Sequence, residues 1–296
     1  MAKIQKTANT ADKKPVYRVK EKPTLTGILA TLFFTIISII FVSPIIIVII
    51  NSLKAKTFIS LETFELPNEH SYIGLDNYKT AITQYDFIKA VGWTVVITVL
   101  SVVAILLFCS MTAWYITRVK NIATKIIYLL CVFSMVIPFQ MVMFTLAGTA
   151  DALHLNTPWG IVIVYLGFGT GLAVFMFCGF IKSIPLEVEE AAMIDGCTPL
   201  KTFFRVVIPI MKPTYISVGI LEAMWIWNDF LLPNLIINKT GWQTLPLKTY
   251  LFFGQFTKRW DLATAGLILC MIPIIIFYIS CQRYIVKGVT DGAVKG

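Results

Sequence analysis

Few residues of this chain carry chemistry, and most of them fall within or beside long apolar runs. Glu222, Trp225 and Asp229 stand three and seven residues apart and so share one face of a helix, with Asn228 adjacent. The Trp225 indole adds a flat apolar ring beside these polar groups. Counting about 1.5 Å per residue from Thr214 sets Glu222 roughly 12 Å deep in a membrane, with Asp229 in the outer half. A carboxylate at a bilayer centre costs about 2.5 to 3.5 kcal/mol, so the stripe is expected to face a wet path or a partner helix. The competing structural reading is that Asn228 and Asp229 bond the helix backbone near Pro233 and only shape the span. Gln140, two residues after Pro138, puts another amide in an apolar run, where a kink and an amide need protein or water to satisfy them.

Covalent chemistry is not indicated. The only histidines are His70 and His154, with no HExxH or GxSxG context, so no catalytic residue and no metal set is expected. Six cysteines are scattered without a CxxC pair, which argues against zinc and against a disulfide framework. The C-terminal GAVKG has the wrong spacing for a phosphate-binding loop and no helix after it, so any ATP used must be hydrolysed by another polypeptide. A secondary transporter would be expected to show intramembrane ionisable pairs or an internal inverted repeat. Only Glu222 and Asp229 qualify as ionisable groups, and no repeat is visible.

The elements that must position these residues are membrane spans. With 57% hydrophobic residues, 14% charged residues and a mean hydropathy of +0.78, the chain is too apolar for a soluble domain. Residues 1–24 form a basic tail. A membrane domain over residues 25–287 is expected to hold six spans, near residues 25–50, 87–115, 126–147, 160–181, 214–237 and 262–284, before a short tail at 288–296. Within the fourth, Gly167, Gly169 and Gly171 allow a close approach by a backbone or a ligand. The net charge of +9 is concentrated in the first tail and a few loops. That pattern is a topology signal rather than a nucleic-acid footprint, and it sets both termini in the cytoplasm.

Residues 183–213 are the longest polar interruption in the second half, and they read as helix, corner, helix. Pro185 suits a first turn, Glu187, Glu189 and Glu190 favour the positive end of the helix dipole, and Gly196 takes a left-handed corner. Thr198-Pro199 then restarts a helix that Pro209 is expected to end.

Glu190-Ala191-Ala192, Asp195-Gly196, Ile208-Pro209 and Pro213 together resemble the EAA loop of ABC importer membrane subunits. The runs IPFQ at 137–140 and WNDF at 227–230, and the C-terminal sequence from Gln282, are similar to carbohydrate-importer permeases, most of all the smaller permease of the maltose type. The resemblance implies an all-α membrane protein, a type I ABC importer permease with six transmembrane helices and a cytoplasmic helix-turn-helix coupling loop, in a bacterial cytoplasmic membrane. It implies docking of an ATPase on Glu190, Ala191, Ala192, Asp195 and Gly196, and a substrate path along Gln140, Glu222, Trp225, Asn228 and Asp229. It further implies a second homologous permease, two ATPase subunits carrying the ATP and Mg, and an extracytoplasmic sugar-binding protein. In the family, a segment of the last external loop reaches into that binding protein, and here Gln255 and Trp260 are its candidates; an interfacial aromatic anchor is the other reading of Trp242 and Trp260. Glu222 departs from the neutral residue expected at its position.

Overall fold

The structure is a computed structural model that describes residues 24–239, 241–254 and 258–293, with side chains of the last helix described to Gln282. Its elements are α1 (Leu25–Ser52), α2 (Lys56–Leu61), α3 (Asp76–Gln84), α4 (Phe87–Arg118), α5 (Ile122–Phe133), α6 (Phe139–Ala152) and α7 (Gly160–Ile181). There follow α8 (Leu186–Ile194), α9 (Pro199–Thr202), a π-turn (Phe203–Val207), α10 (Ile208–Ile210) and α11 (Lys212–Asn228). The chain ends with α12 (Leu231–Ile236), α13 (Leu245–Tyr250), a 3-10 turn (Leu251–Phe253) and α14 (Trp260–Ala293). No strand occurs among the described residues. The basic tail lies outside them.

The chain divides into two units, Met1–Val48 and Ile49–Gly296. The described part of the first is helix, with exposed Leu29, Phe33, Phe34 and Ile40. Its hydroxyls turn back onto their own helix: Thr31 Oγ1 donates to the Gly27 carbonyl, Thr35 to Thr31 and Ser38 to Phe34, at 2.7 to 2.8 Å. A helix so satisfied can meet hydrocarbon without an unpaired polar group.

In the second unit α4 lies along α7, and their facing residues Ile105, Cys109, Ala113, Val174, Phe177 and Cys178 are buried together. Outside this bundle, Lys54 is fully buried and donates to the carbonyls of Glu62 and Glu65 at 2.5 and 2.6 Å, while Asn77 ties down Ser52 and Lys54. The segment of short helices α2 and α3 is therefore held by side-chain-to-backbone bonds.

Among the described residues four helices are long and apolar enough to cross a membrane: Leu25–Ser52, Phe87–Arg118, Gly160–Ile181 and Trp260–Gln282. A fifth is obtained if Pro199–Ile210 and Lys212–Asn228, bent by 79°, are taken as one. The expected third and fifth spans are not continuous helices. Pro138 does more than kink the third: it caps α6 in extended conformation, and residues 134–137 form a turn after α5. The fifth stops at Asn228, because Asp229 is extended and its Oδ1 accepts from the N–H groups of Leu231 and Leu232 at 2.9 and 3.4 Å, starting a new short helix. A side chain that offers backbone N–H groups a partner competes with helix continuation.

Both breaks rest on α7. A Cβ at Gly171 would stand 2.4 Å from Met135 Cγ and 2.9 Å from the Cys131 carbonyl, so only glycine lets the first break approach this closely. Six residues earlier, about 9 Å along the helix, Tyr165 donates to Asp229 Oδ2 at 3.0 Å in the second break. Phe139 and Trp225 make edge-to-face contacts with Phe168 and Tyr165, one helical turn apart.

Gly167 has nothing within 4 Å of an added Cβ, which provides a control. Gly171→Ala is expected to lose about 1–3 kcal/mol through overpacking, read as a lower unfolding midpoint in detergent. Gly167→Ala should leave that midpoint in place, and equal loss in both would contradict a packed break.

Candidate functional site

Of the residues expected along a path, the structure brings Trp225, Asn228 and Asp229 together at the second break. Trp225 is 42% exposed, with its ring edge-on to Tyr165 at 5.6 Å between centroids. Asn228 is exposed and donates to the Met224 carbonyl at 2.7 Å, while Asp229 accepts from Tyr165 and caps α12. Both side chains thus bond backbone, Asp229 just ahead of Pro233 and Asn228 in the turn before it. Gln140 is exposed in the first turn of α6, beside the other break.

Glu222 parts from this group. It is 1% exposed and turned into the bundle, where Gly169 makes room for it: a Cβ there would come 3.0 Å from Glu222 Oε2 and 2.5 Å from Ile105 Cδ1. Among the described residues its Oε1 has no hydrogen-bond partner. The expected stripe thus splits, because α11 ends before Asp229 and the glycine opposite Glu222 gives its side chain an inward volume. Tyr165, fully buried, holds Trp225 and Asp229 together and was not expected; a tyrosine two residues before the glycine cluster was the available signal.

The polar loop takes the expected form. α8 ends at Ile194, Asp195 caps it, and Gly196 has φ +86°, the left-handed conformation that β-carbons resist. Thr198 accepts from the Lys201 N–H with Pro199 in the first turn. Pro209 does not end the helix. The preceding π-turn lets the Ile208 N–H reach the Phe203 carbonyl, which fits the proline's missing donor and ring, and the break comes at Met211.

Glu187, Glu190, Ala191 and Asp195 are exposed on α8, and Ala192 is half-buried. Glu189 is not exposed. Its Oε1 lies 2.6 Å from Arg118 Nη2 and 3.0 Å from Nε, its Oε2 accepts from Trp114 Nε1 at 2.9 Å, and Arg118 also donates to the Ile184 carbonyl. This clasp fastens α8 to the end of α4. Adjacent helix positions point about 100° apart, so of Glu189 and Glu190 one was bound to face the protein.

At the start of α14 Trp260 is 36% exposed and packs edge-to-face on Phe253, with Lys258 Nζ 5.6 Å from its ring centroid. Gln255, the other candidate there, lies outside the described residues. Arg259 pairs with Asp261 at 2.9 Å and hydrogen-bonds Tyr85, and the Asp261 contact raises the guanidinium pKa further. A local counter-ion thus accompanies this arginine.

Residues 106–291 match the family described as binding-protein-dependent transport system inner membrane component. The chain belongs to this family. Among its relatives are the probable starch degradation products transport system permease protein AmyC of Thermoanaerobacterium thermosulfurigenes, 42% identical over 90% of this chain and 96% of the relative. Another is the multiple sugar-binding transport system permease protein MsmG of Streptococcus mutans, 35% identical over 88% and 94%. A solved bacterial ABC transporter involved in import of the acidic polysaccharide alginate shares the fold, with a TM-score of 0.69 and 22% identity over 88% of this chain and 96% of that one. The chain is thus a multi-pass inner-membrane permease component.

In such a permease the clasp would position the loop. Glu189 is 1% and Arg118 19% exposed, so breaking the pair by Arg118→Met should cost about 3–5 kcal/mol, while Arg118→Met with Glu189→Leu should recover most of it. Thermal midpoints of the three proteins in detergent check this; a double variant no better than the single would contradict the pairing.

Proposed function

We propose that this chain is one of two permeases of an ATP-driven, binding-protein-dependent importer of a sugar or oligosaccharide. Relatives named for starch degradation products and for multiple sugars support the substrate class. A solved alginate transporter of the same fold has been captured with its pentasaccharide-bound periplasmic protein, which supports a binding protein as substrate donor. Six spans fit the chain if the broken third and fifth segments each cross once, which returns both termini to the cytoplasm with the basic tail. No covalent step acts on the sugar. ATP and Mg belong to two ATPase subunits beneath the permease pair, and a second, homologous permease completes the path.

The observation that carries the docking reading is the helix-corner-helix at 186–210, with Gly196 left-handed and α8 presenting Glu190, Ala191 and Asp195 outward from a fixed base. Small residues give a partner close approach, and a carboxylate offers it a charge-assisted bond. For the path, Trp225 and Asn228 are an exposed indole and amide where the fifth segment breaks, and Gln140 is an exposed amide beside the third. Asp229 shapes the break rather than meeting sugar. Irregular backbone at membrane depth is tolerated where it is buried in protein or lines a cavity, which favours a path beside these breaks. Trp260 is the remaining candidate for contact with the binding protein.

Proteoliposomes holding the permease pair and its ATPase should accumulate labelled malto-oligosaccharide or another sugar of a tested panel only with ATP on the ATPase side and binding protein on the other. Gly196→Val, strained by about 1–2 kcal/mol at the corner, should lower binding-protein-stimulated ATPase and uptake together while membrane insertion stays normal. Uptake without ATP, or full coupling in Gly196→Val, would count against the reading.

A further inference from the structure

We propose that the cavity between the end of α4, the start of α5 and the end of α7 binds the headgroup of an anionic phospholipid. The cavity has a volume of about 770 Å³ and is lined by Lys120, Lys125 and Lys182 together with Ile116, Ile122 and Tyr128. Among the described residues no Asp or Glu lines it. The three lysines are exposed and, among the described residues, none makes an ion pair. Arg118, also on the wall, is committed to Glu189.

Three features select a lipid over other anions. First, the site lies where the apolar helices α4 and α7 end and α5 begins, and a helix that spans a bilayer ends where headgroups meet water. Second, its basic groups stand over an apolar wall that Ile116, Ile122 and the Tyr128 ring supply, so phosphate and upper acyl chain are both accommodated. Third, the α5 N-terminus at Asn121 and Ile122 adds its partial positive charge to the same rim. An ATPase is the competing occupant, and charge disfavours it. Exposed Glu187, Glu190 and Asp195 on α8 call for a basic partner surface, which would be repelled by the lysines beside it. That last step rests on α8 being the docking helix; the lipid measurement does not.

The test is native mass spectrometry of the full-length chain purified in detergent, titrated with phosphatidylglycerol or phosphatidylcholine. Lys120→Gln/Lys125→Gln/Lys182→Gln should bind phosphatidylglycerol about tenfold or more weakly than the unaltered protein, with phosphatidylcholine unchanged. The exposed control set Lys56→Gln/Lys79→Gln/Lys201→Gln should bind as the unaltered protein does. If the triple variant aggregates, Lys125→Glu alone is compared instead. Equal retention in cavity and control variants would overturn the proposal. Displacement of the lipid by inorganic phosphate at equal concentration would also overturn it, by making the site one for soluble anions. Loss of copurifying ATPase with unchanged lipid binding would assign the lysines to the ATPase and overturn it too, leaving the transport reading intact.

Discussion

Inside a bilayer no backbone N–H or C=O can turn to water, so a break in a membrane helix must be satisfied by the protein around it. Two breaks in apolar segments, at residues 134–138 and at Asp229, are satisfied by the protein around them in this way. At the first, Ser134 Oγ donates to the Cys131 carbonyl, and the Met135 and Val136 N–H groups bond back to Val132 and Phe133. At the second, the Asp229 carboxylate caps the helix that follows it and accepts the Tyr165 hydroxyl. Both are seated on α7, whose Gly171 admits one and whose Tyr165 clamps the other. Filling Gly171 or removing Tyr165 acts on a break through the helix that carries it.

The loop at 186–210 connects to the same helix by continuous packing. α8 is clasped to the end of α4 through Glu189, Arg118 and Trp114, α4 lies along α7, and α7 holds both breaks. Displacing α8 while the clasp holds would therefore load α4, and through it the bundle that seats the breaks. Rigid elements joined by buried contacts are the kind of connection through which a distant partner can bias two arrangements. Glu189 serves this connection; Glu190, one position on, is exposed.

Much of this was legible in the sequence. Apolar run lengths located the helices, and Pro185, Gly196 and Thr198-Pro199 gave the corner its local grammar, because caps and left-handed glycines are decided within a few residues. What run length could not report is backbone pairing. The run through Pro138 reads as a kinked span, and the run through Asp229 as an unbroken one, since hydropathy is blind to which N–H groups a carboxylate will take. The inward turn of Glu222 depends on Gly169 of another helix, and the clasp depends on a separation of 71 residues between Arg118 and Glu189. Such pairings exist only once the helices are packed.

The claim that the break at Asn228–Asp229 borders the translocation path is tested most directly by thiol accessibility. In an otherwise cysteine-free chain assembled with its partners, Trp225→Cys and Asn228→Cys would be labelled with a membrane-impermeant maleimide, with and without ATP and loaded binding protein. Both should label, at rates that change when ATP and binding protein are added, while Ile276→Cys on α14, exposed on an apolar helix face, should not. Labelling at Trp225 and Asn228 no faster than at Ile276, and indifferent to ATP, would contradict a path at this break.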